Sequence, residues 1–332
     1  MASTPRVRQD HCFITVPSAR VVERFAQPRT NVPVIGFITN GTEENYRPLV
    51  GALRSGLREI GYEEGQSIII HYRYGTGTGS DTNVEESAKE LVSLKCDVIV
   101  TSAVYPQVRR ASSTVPIVFL GITHPVRFGY VKSLRLPGGN TTGLAYAGVD
   151  LNPKRLEVLK EALPRATRFA ALATSEHSLY PQMVTDLEAA ARSLRVRVDI
   201  VDVGQPTVAA IETGFERISK LNPHALLVLQ HHNFFREMKR IVDLTARYRL
   251  PTMYELPTFV EVGGLIAYTP DVHHQFRRAA AYVDKILKGT NAGDIPVEEP
   301  TKFQLLINLN TAKALGLTIP PAILGRADRI IE

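Results

Sequence analysis

The sequence predicts an α/β protein built from two doubly wound parallel-sheet lobes that are joined by a multi-strand hinge. From residue 32 onwards, short apolar runs alternate with amphipathic stretches, which is typical of parallel strands covered by helices on both faces. The alternation stops at a glycine-rich segment, Leu136–Gly143, and then starts again. Further segments follow the second series and indicate that the chain crosses back between the lobes.

The first series predicts a lobe of four strands and three helices. Its first helix is the clearest element, because Leu49, Leu53 and Leu57 recur at helical spacing before Gly61 ends the pattern. The apolar runs between the helices have the length of buried strands. The predicted strands are 34–38, 67–72, 97–101 and 116–120, and the predicted helices are 46–60, 84–94 and 106–112.

The second series has the same rhythm and a similar length, so it predicts a second lobe of the same kind. Its strands are expected at 168–173, 196–201, 225–229 and 251–254, and its helices at 153–163, 180–194, 208–221 and 234–248. The C-terminal part adds strands at 264–268 and 303–307 and helices at 272–288 and 311–315.

This order of elements predicts the domain organisation. We expect a disordered or atypical leader over 1–30, a first lobe made of 31–147 with 270–296, and a second lobe made of 148–269 with 297–332. Two lobes on a hinge form a cleft that can close on a ligand. The glycine-rich turn is the predicted hinge, with these residues in it: Gly138, Gly139, Asn140 and Gly143.

Composition excludes several classes of protein. The chain has 332 residues, 44% hydrophobic and 22% charged, and only two cysteines, Cys12 and Cys96, so it is neither a disordered chain nor a disulfide scaffold. The net charge is +6, and half of it comes from residues 1–30, where five arginines oppose Asp10 and Glu23. The rest is too diffuse to indicate a nucleic-acid partner.

Membrane and export signals are weak in the sequence. No apolar run approaches the roughly 20 residues of a membrane-spanning helix, so an integral membrane protein is not expected. The apolar patch Cys12–Val16 is stopped by Pro17 and Arg20, and it is too short for a convincing signal peptide.

The motifs give no support for catalysis. Gly75–Gly79 follows a predicted strand, but it lacks the spacing of a dinucleotide-binding or phosphate-binding loop. The pairs His231–His232 and His273–His274 are adjacent residues, which is poor geometry for a metal site. No nucleophile elbow and no set of nucleophile and base can be assembled. We therefore expect no enzyme activity, no metal and no cofactor.

Polar side chains follow the predicted strands at the edge where ligands of open α/β sheets bind. Most of them can donate and accept hydrogen bonds, which suits a small-molecule crevice. An aromatic ring, Tyr105 or Tyr254, is expected to stack on the ligand. The candidate ligand-binding residues are Thr39, Asn40, Ser102, Tyr105, Thr123 and His124 in the first lobe and Thr174, Ser175, Gln230, His231, Tyr254 and Glu255 in the second.

Several separate stretches resemble the substrate-binding proteins of ABC transporters of the tryptophan/tyrosine-type uptake family. The resemblance covers about 33–331 and implies two lobes of the type I periplasmic-binding-protein fold. The stretches are LRSGLREIGYEEG (53–65), PGGNTTG (137–143), PKRLEVL (153–159), LPTMYELPTFVEVGG (250–264), YVDKILKG (282–289) and PTKFQLLINLNTAKALGLTIP (300–320).

The resemblance implies a periplasmic or otherwise extracytoplasmic receptor, here expected to be monomeric, that captures a small solute and passes it to a membrane permease with a cytoplasmic ATPase. The solute would be an amino acid or an aromatic or organic acid. Two sites depart from the family pattern. His124 precedes Pro125 and Val126, where family members tend to have Asp-Pro-Val, and Gln230–Asn233 replaces a turn that resembles Pro-Asp-Pro. An imidazole in place of a carboxylate favours a more acidic or neutral ligand.

The same fold serves two other classes of protein. A cytoplasmic ligand sensor, of the kind that forms the effector lobe of a transcription regulator, is the alternative function. It would need a DNA-binding module, and about 30 leading residues are short for one with its linker. An enzyme on this scaffold would need a catalytic set, and the sequence shows none.

Overall fold

The computed structural model describes Met1 and residues 32–76 and 82–332, so the rest of the predicted leader and Gly77–Gly79 lie outside the described residues. Residues 32–332 form one compact unit that contains two sheets. Among the helices of the described residues, none is long and apolar enough to cross a membrane.

The first sheet has five parallel strands in the order β2-β1-β3-β4-β5. One face packs against the first helix and a helix from much later in the chain, and the other face packs against the second and third helices. The elements are β1 Val34–Thr39, α1 Glu43–Glu59, β2 Ile69–Arg73, α2 Thr82–Ser93, β3 Val98–Ser102, α3 Tyr105–Ala111, β4 Ile117–Ile122 and β5 Thr141–Ala145.

The second sheet has seven strands in the order β12-β11-β10-β9-β8-β6-β7. It also carries helices on both faces, because alternate side chains of its strands are apolar on both sides. The elements are α4 Asn152–Ala162, β6 Arg168–Ala173, α5 Tyr180–Leu194, β7 Arg197–Asp202, α6 Val208–Leu221, β8 Ala225–Val228, α7 His232–Arg236, α8 Met238–Arg247, β9 Thr252–Tyr254, α9 Pro257–Glu261, β10 Ile266–Pro270, α10 Val272–Leu287, β11 Phe303–Asn308, α11 Leu309–Ala314, α12 Pro321–Leu324 and β12 Arg329–Ile331.

The fold class is as predicted, with one exception in the second sheet. β10 and β11 pair antiparallel, with Ile266 opposite Ile307. The chain leaves the second lobe at the end of β10 and forms α10 against the first sheet. It then returns to the second sheet as β11, next to the end of β10. A strand that re-enters at this edge must run in the opposite direction. The predicted lobe boundaries at 147, 269 and 296 stay a prediction.

The glycine-rich segment is not the hinge, which corrects the sequence-based assignment. Gly143 lies inside β5, where a side chain would collide with the Phe119 carbonyl, and Gly138 and Gly139 contact the turn at Gly293 in the same lobe. The side chain of Asn140 donates a hydrogen bond of 2.6 Å to the Val115 carbonyl. All four predicted hinge residues therefore belong to the first lobe. The turn that we expected continues as a strand because β4 offers it an open edge.

Three segments link the two sheets, at about 145–148, 270–272 and 296–302. They are joined to one another by backbone hydrogen bonds, 2.8 Å from Ala145 N to Glu298 O and 2.9 Å from Asp271 N to Lys302 O. The side chain of Arg155 adds a buried clamp. Its Nη1 donates to Gly148 O at 2.6 Å, and its Nε donates to Tyr268 O at 2.8 Å. These linking segments set the distance between the lobes.

Two glycines of α1 give a matched test of the contact between α1 and α10. A methyl group at Gly56 would lie 2.3 Å from the Arg277 carbonyl of α10, whereas one at Gly51 would meet nothing within 4 Å. We expect Gly56→Ala to lower the free energy of unfolding by about 1–3 kcal/mol, and Gly51→Ala to raise it by about 0.5–1 kcal/mol. Urea unfolding of both variants checks this, and an equal effect of the two changes would contradict the packing.

Candidate functional site

The carboxyl ends of the parallel strands in the two sheets face each other across a cleft of about 390 Å³. We call this cavity the inter-lobe cleft. A volume of this size is typical of small-molecule sites. Its lining includes Tyr46, Ser102, Ala103, Gly121, Val272, Gln275 and Phe276 from the first lobe, Tyr146 from a linking segment, and Val228, Leu229, Gln230, His231, His232, Phe234, Phe235, Glu255, Leu256 and Phe259 from the second lobe.

Two acceptor oxygens meet on the second-lobe wall. Oε1 of Gln230 and Oε1 of Glu255 both lie within 3 Å of the point where a Cβ on Gly148 would stand. The Gln230 oxygen is buried and has no hydrogen-bond partner among the described residues. The Glu255 oxygen accepts a hydrogen bond of 2.8 Å from the Tyr146 hydroxyl. Only a glycine at 148 leaves room for this arrangement.

The surroundings of Glu255 raise the pKa of its carboxyl above the ordinary value. Burial raises the pKa of this carboxyl, while the Arg155 charge and the Tyr146 hydrogen bond act in the opposite direction. Nη2 of Arg155 is buried and has no hydrogen-bond partner among the described residues. A buried carboxyl in this setting gains from a ligand that carries positive charge, because such a ligand stabilises the ionised form.

The imidazole rings of His231 and His232 line the neighbouring part of the same wall, and His177 lies close to them outside the cleft lining. The rings of His231 and His232 are 4.2 Å apart, and His177 stands 6.2 Å from His231. Nδ1 of His231 accepts a hydrogen bond of 3.3 Å from Asn233 N and caps α7. Nδ1 of His177 accepts one of 3.0 Å from Leu179 N in the same way. Burial lowers the pKa of His231 to about 4, helped by repulsion from His232 and His177.

The first-lobe wall offers hydroxyl groups and aromatic rings. The hydroxyls of Tyr46 and Ser102 are 3.3 Å apart. The ring of Tyr46 lies 6.2 Å from Phe276, which is part of α10. Nε2 of Gln275 donates to Ala145 O at 2.7 Å and so ties α10 to the first linking segment. This wall therefore combines two neutral hydrogen-bonding groups with an apolar surface.

Four of the predicted ligand-binding residues line the inter-lobe cleft. They are Ser102, Gln230, His231 and Glu255.

Four others lie at strand ends outside the cleft lining. Thr39 accepts a hydrogen bond from Gly41 N, Thr174 donates one to Gly204 O, and Ser175 N donates one to Asp202, so these groups stabilise local turns. Asn40 follows Thr39 in the first of these turns. Whether any of these four residues contacts a ligand stays a prediction.

The two predicted stacking tyrosines lie in the cores, which corrects that expectation. The Tyr105 hydroxyl donates to Tyr130 O at 3.1 Å, and the Tyr254 hydroxyl is 3.0 Å from that of Thr245. Both rings are at most 2% exposed. Position at a strand end does not decide where a side chain points, and Tyr254 points away from the cleft while its neighbour Glu255 points into it.

Thr123 and His124 follow β4, and His124 lines a different cavity, of about 360 Å³, which shares Tyr146 with the cleft. The Nε2 atom of His124 is 3.1 Å from a carboxylate oxygen of Asp150. Thr123 is half-buried beside it. The imidazole that departs from the family pattern at 124 thus faces a carboxylate of the protein itself, and not the inter-lobe cleft.

Sequence reasoning missed several residues of the cleft. Tyr146 follows β5, which we had predicted as part of a turn, and Phe276 and Gln275 belong to a helix that is distant in the sequence. Tyr46 lies in the first turn of α1, so a helix N-terminus next to a strand end was an available signal. His232 also lines the cleft, and its only sequence signal is its position beside His231.

A cleft between two hinged lobes, lined by neutral polar groups and rings, defines a solute-binding receptor. The family model for ABC transporter substrate binding proteins matches residues 31–331, and the chain belongs to this family. It is therefore a solute-binding receptor of an ABC transporter, as the sequence predicted.

Similar proteins agree with this assignment. A tyrosine-binding protein of Clostridioides difficile (strain R20291) is 25% identical over 265 residues, which is 79% of this chain and 74% of the relative. The crystal structure of an ABC domain in complex with L-Trp from Streptococcus pneumonia has a TM-score of 0.75 at 23% identity and covers 91% of this chain and 100% of that one. The ligand-free, open structure of a substrate-binding protein with adhesive properties from Clostridium difficile has a TM-score of 0.76 at 20% identity, with 90% and 99% covered.

The fold alone is shared with regulators. A LacI family transcriptional regulator from Bifidobacterium animalis subsp. lactis has a TM-score of 0.56 at 14% identity, and the match covers 82% of this chain and 95% of that one. Such a likeness shows a common architecture and no more. The regulator alternative is not favoured, because the family match covers the whole two-lobed unit.

Acidification should destabilise the parent more than a His231→Asn variant, in which Asn still caps α7. The folded pKa of His231 is about 4. The unfolded pKa is about 6.5. Protonation of His231 therefore has no effect on the free energy of unfolding above about pH 6.5. It lowers this free energy as the pH falls from about 6.5 to about 4, by at most about 3 kcal/mol.

Urea unfolding at about pH 7, 5.5 and 4 measures this effect. The control is His224→Asn, because Nδ1 of His224 also accepts backbone N–H groups but lies at the opposite end of the sheet. An identical pH dependence of the parent and His231→Asn would contradict the assignment.

Proposed function

We propose that this receptor captures an aromatic amino acid in the inter-lobe cleft and delivers it, without chemical change, to a membrane permease and its ATPase. The protein acts outside the cytoplasm and as a monomer in this proposal. The single observation that supports it best is the pair of acceptor oxygens of Gln230 and Glu255 beside the bare backbone of Gly148. That pair requires a donor, and a positively charged one fits it best.

An ammonium group satisfies both acceptors at once. It has three donors, so it can reach the unpartnered Oε1 of Gln230 and the carboxylate of Glu255 together. The Glu255 carboxylate is already held in place by Tyr146, so little ordering is needed when the ligand binds. Ionisation of this buried carboxyl becomes favourable when the ammonium arrives, because an opposite charge replaces the lost water.

The rest of an aromatic amino acid matches the remaining walls. The hydroxyls of Tyr46 and Ser102 can donate to a carboxylate from the first-lobe side. A flat apolar body has Phe235 and Leu256 on one side and Phe276 on the other. Because the polar contacts come from both lobes, the bound solute favours the closed arrangement of the hinge over the open one.

The comparisons support this ligand class without defining it. The relative named above is a tyrosine-binding protein, and the structural neighbour was crystallised in complex with L-Trp. Both names describe amino acids with a ring and an ammonium group.

We expect L-tyrosine, L-tryptophan or L-phenylalanine to raise the melting temperature of the purified chain. The matching des-amino acids, which keep the ring and the carboxylate, should bind at least about tenfold more weakly, since the two acceptors then have no donor. A thermal-shift screen followed by calorimetry measures both. Equal affinity for an amino acid and its des-amino analogue would contradict the proposal.

The change Glu255→Gln isolates the charge of this contact. It keeps a side chain of the same shape. The affinity for the amino acid should fall by about tenfold or more, because hydrogen bonds to charged groups contribute about 1.5–3 kcal/mol. Glu216→Gln, on the exposed face of α6, is the matched control and should leave the affinity unchanged. Calorimetry on the three proteins would refute the role of Glu255 if their affinities were the same.

A further inference from the structure

The ring of His231 presents one polar group to the cleft that the protein itself does not use. We propose that Nε2–H of His231 donates a hydrogen bond to an acceptor at the far end of the bound solute. The cleft then prefers a ring that carries a hydroxyl, as in tyrosine, over a ring that carries none. This inference rests on the proposed function and assigns one further residue of the same site.

The tautomer follows from the backbone contact. Nδ1 of His231 accepts the N–H of Asn233, so its lone pair is occupied and it carries no proton. In a neutral imidazole the other nitrogen must then carry the proton, which makes Nε2 a donor only. The cap of α7 therefore decides what this ring can recognise. Burial and two neighbouring imidazoles hold the pKa of His231 low, so the ring is neutral near pH 7.

The donor is free to meet a ligand. The side chain lines the inter-lobe cleft, and no hydrogen bond joins Nε2 to any other described residue. The residue is only 8% exposed, so a partner in the closed cleft has to come from the solute. A buried donor that stays unpaired is unfavourable, and this penalty falls on any solute that has no acceptor at this point.

The position of His231 separates it from the ammonium contact. The backbone at His231 is extended, with φ −163° and ψ 141°. Neighbouring side chains on an extended backbone point to opposite faces. The Gln230 oxygen lies beside Glu255 and Gly148, and this alternation directs the His231 ring to another part of the cleft lining. The two residues thus contact different ends of one solute.

Only one of the three common aromatic amino acids brings an acceptor to that end. The phenol oxygen of tyrosine accepts a hydrogen bond, the indole nitrogen of tryptophan only donates one, and phenylalanine has no polar atom there. A donor-only contact therefore favours tyrosine over both. A site built to bind a hydroxyl group rejects the analogue that lacks it, because the protein group is then left unpaired.

The experiment measures the affinities of the full chain for L-tyrosine and L-phenylalanine by calorimetry. For the parent we expect a preference of about three- to tenfold or more for L-tyrosine. The variant His231→Asn keeps an acceptor for Asn233 N but has no ring donor. It should lose the preference, so that L-tyrosine and L-phenylalanine bind with about equal affinity.

The matched control is His177→Asn. His177 accepts a backbone N–H two residues ahead, as His231 does, but it does not line the cleft. This variant should keep the preference of the parent. A second measurement needs no variant, because the ¹⁵N resonance of His231 Nε2 should shift when L-tyrosine is added and much less when L-phenylalanine is added.

The outcomes separate the inference from the proposed function. If the parent binds no aromatic amino acid, the proposed function fails and the inference fails with it. If the parent binds them but does not prefer L-tyrosine, or if His231→Asn keeps the preference, the inference alone is wrong. If the variant does not fold, the ¹⁵N resonance of His231 Nε2 in the parent tests the inference. Equal shifts of this resonance with L-tyrosine and with L-phenylalanine would overturn it.

Discussion

The buried guanidinium of Arg155 is the contact on which the arrangement of the two lobes depends. It donates to the carbonyl of Gly148 in the first linking segment and to the carbonyl of Tyr268 in β10, and so it ties that linking segment to the second sheet. The Gly148 carbonyl lies outside the strands, and a buried cation satisfies it more strongly than a neutral donor would. Because the linking segments are held this closely, the carboxyl edges of both sheets face one cleft.

The same cation also affects the chemistry of the cleft. Its charge opposes the effect of burial on Glu255, and the Tyr146 hydroxyl holds the carboxyl in place. Glu255 and Gln230 then offer acceptors at one corner of the cleft. The imidazole of His231, which caps α7, offers a donor elsewhere on the wall. The Tyr146 hydroxyl holds Glu255 and the Asn233 N–H holds His231, so this part of the polar pattern exists before a solute binds.

The sequence was informative where neighbours along the chain decide the structure. The spacing of Leu49, Leu53 and Leu57 predicted α1, and the apolar runs predicted most strands of both sheets. It failed where a distant segment decides the structure, as in β5, which became a strand because β4 offers it an edge. It also failed for Tyr105 and Tyr254, since a strand end predicts the position of a residue and not the direction of its side chain.

Local periodicity, composition and family motifs alone determined the two-lobed α/β class, the family, and part of the cleft, with Ser102, Gln230, His231 and Glu255 among its lining residues. Tertiary structure alone decided the hinge, the antiparallel return of β11, and the additions of Tyr146, Gln275 and Phe276 to the cleft. The reason is physical. Periodicity reports which side chains are buried, whereas a cleft between lobes is formed by segments far apart in the chain, whose meeting depends on packing that no local pattern contains.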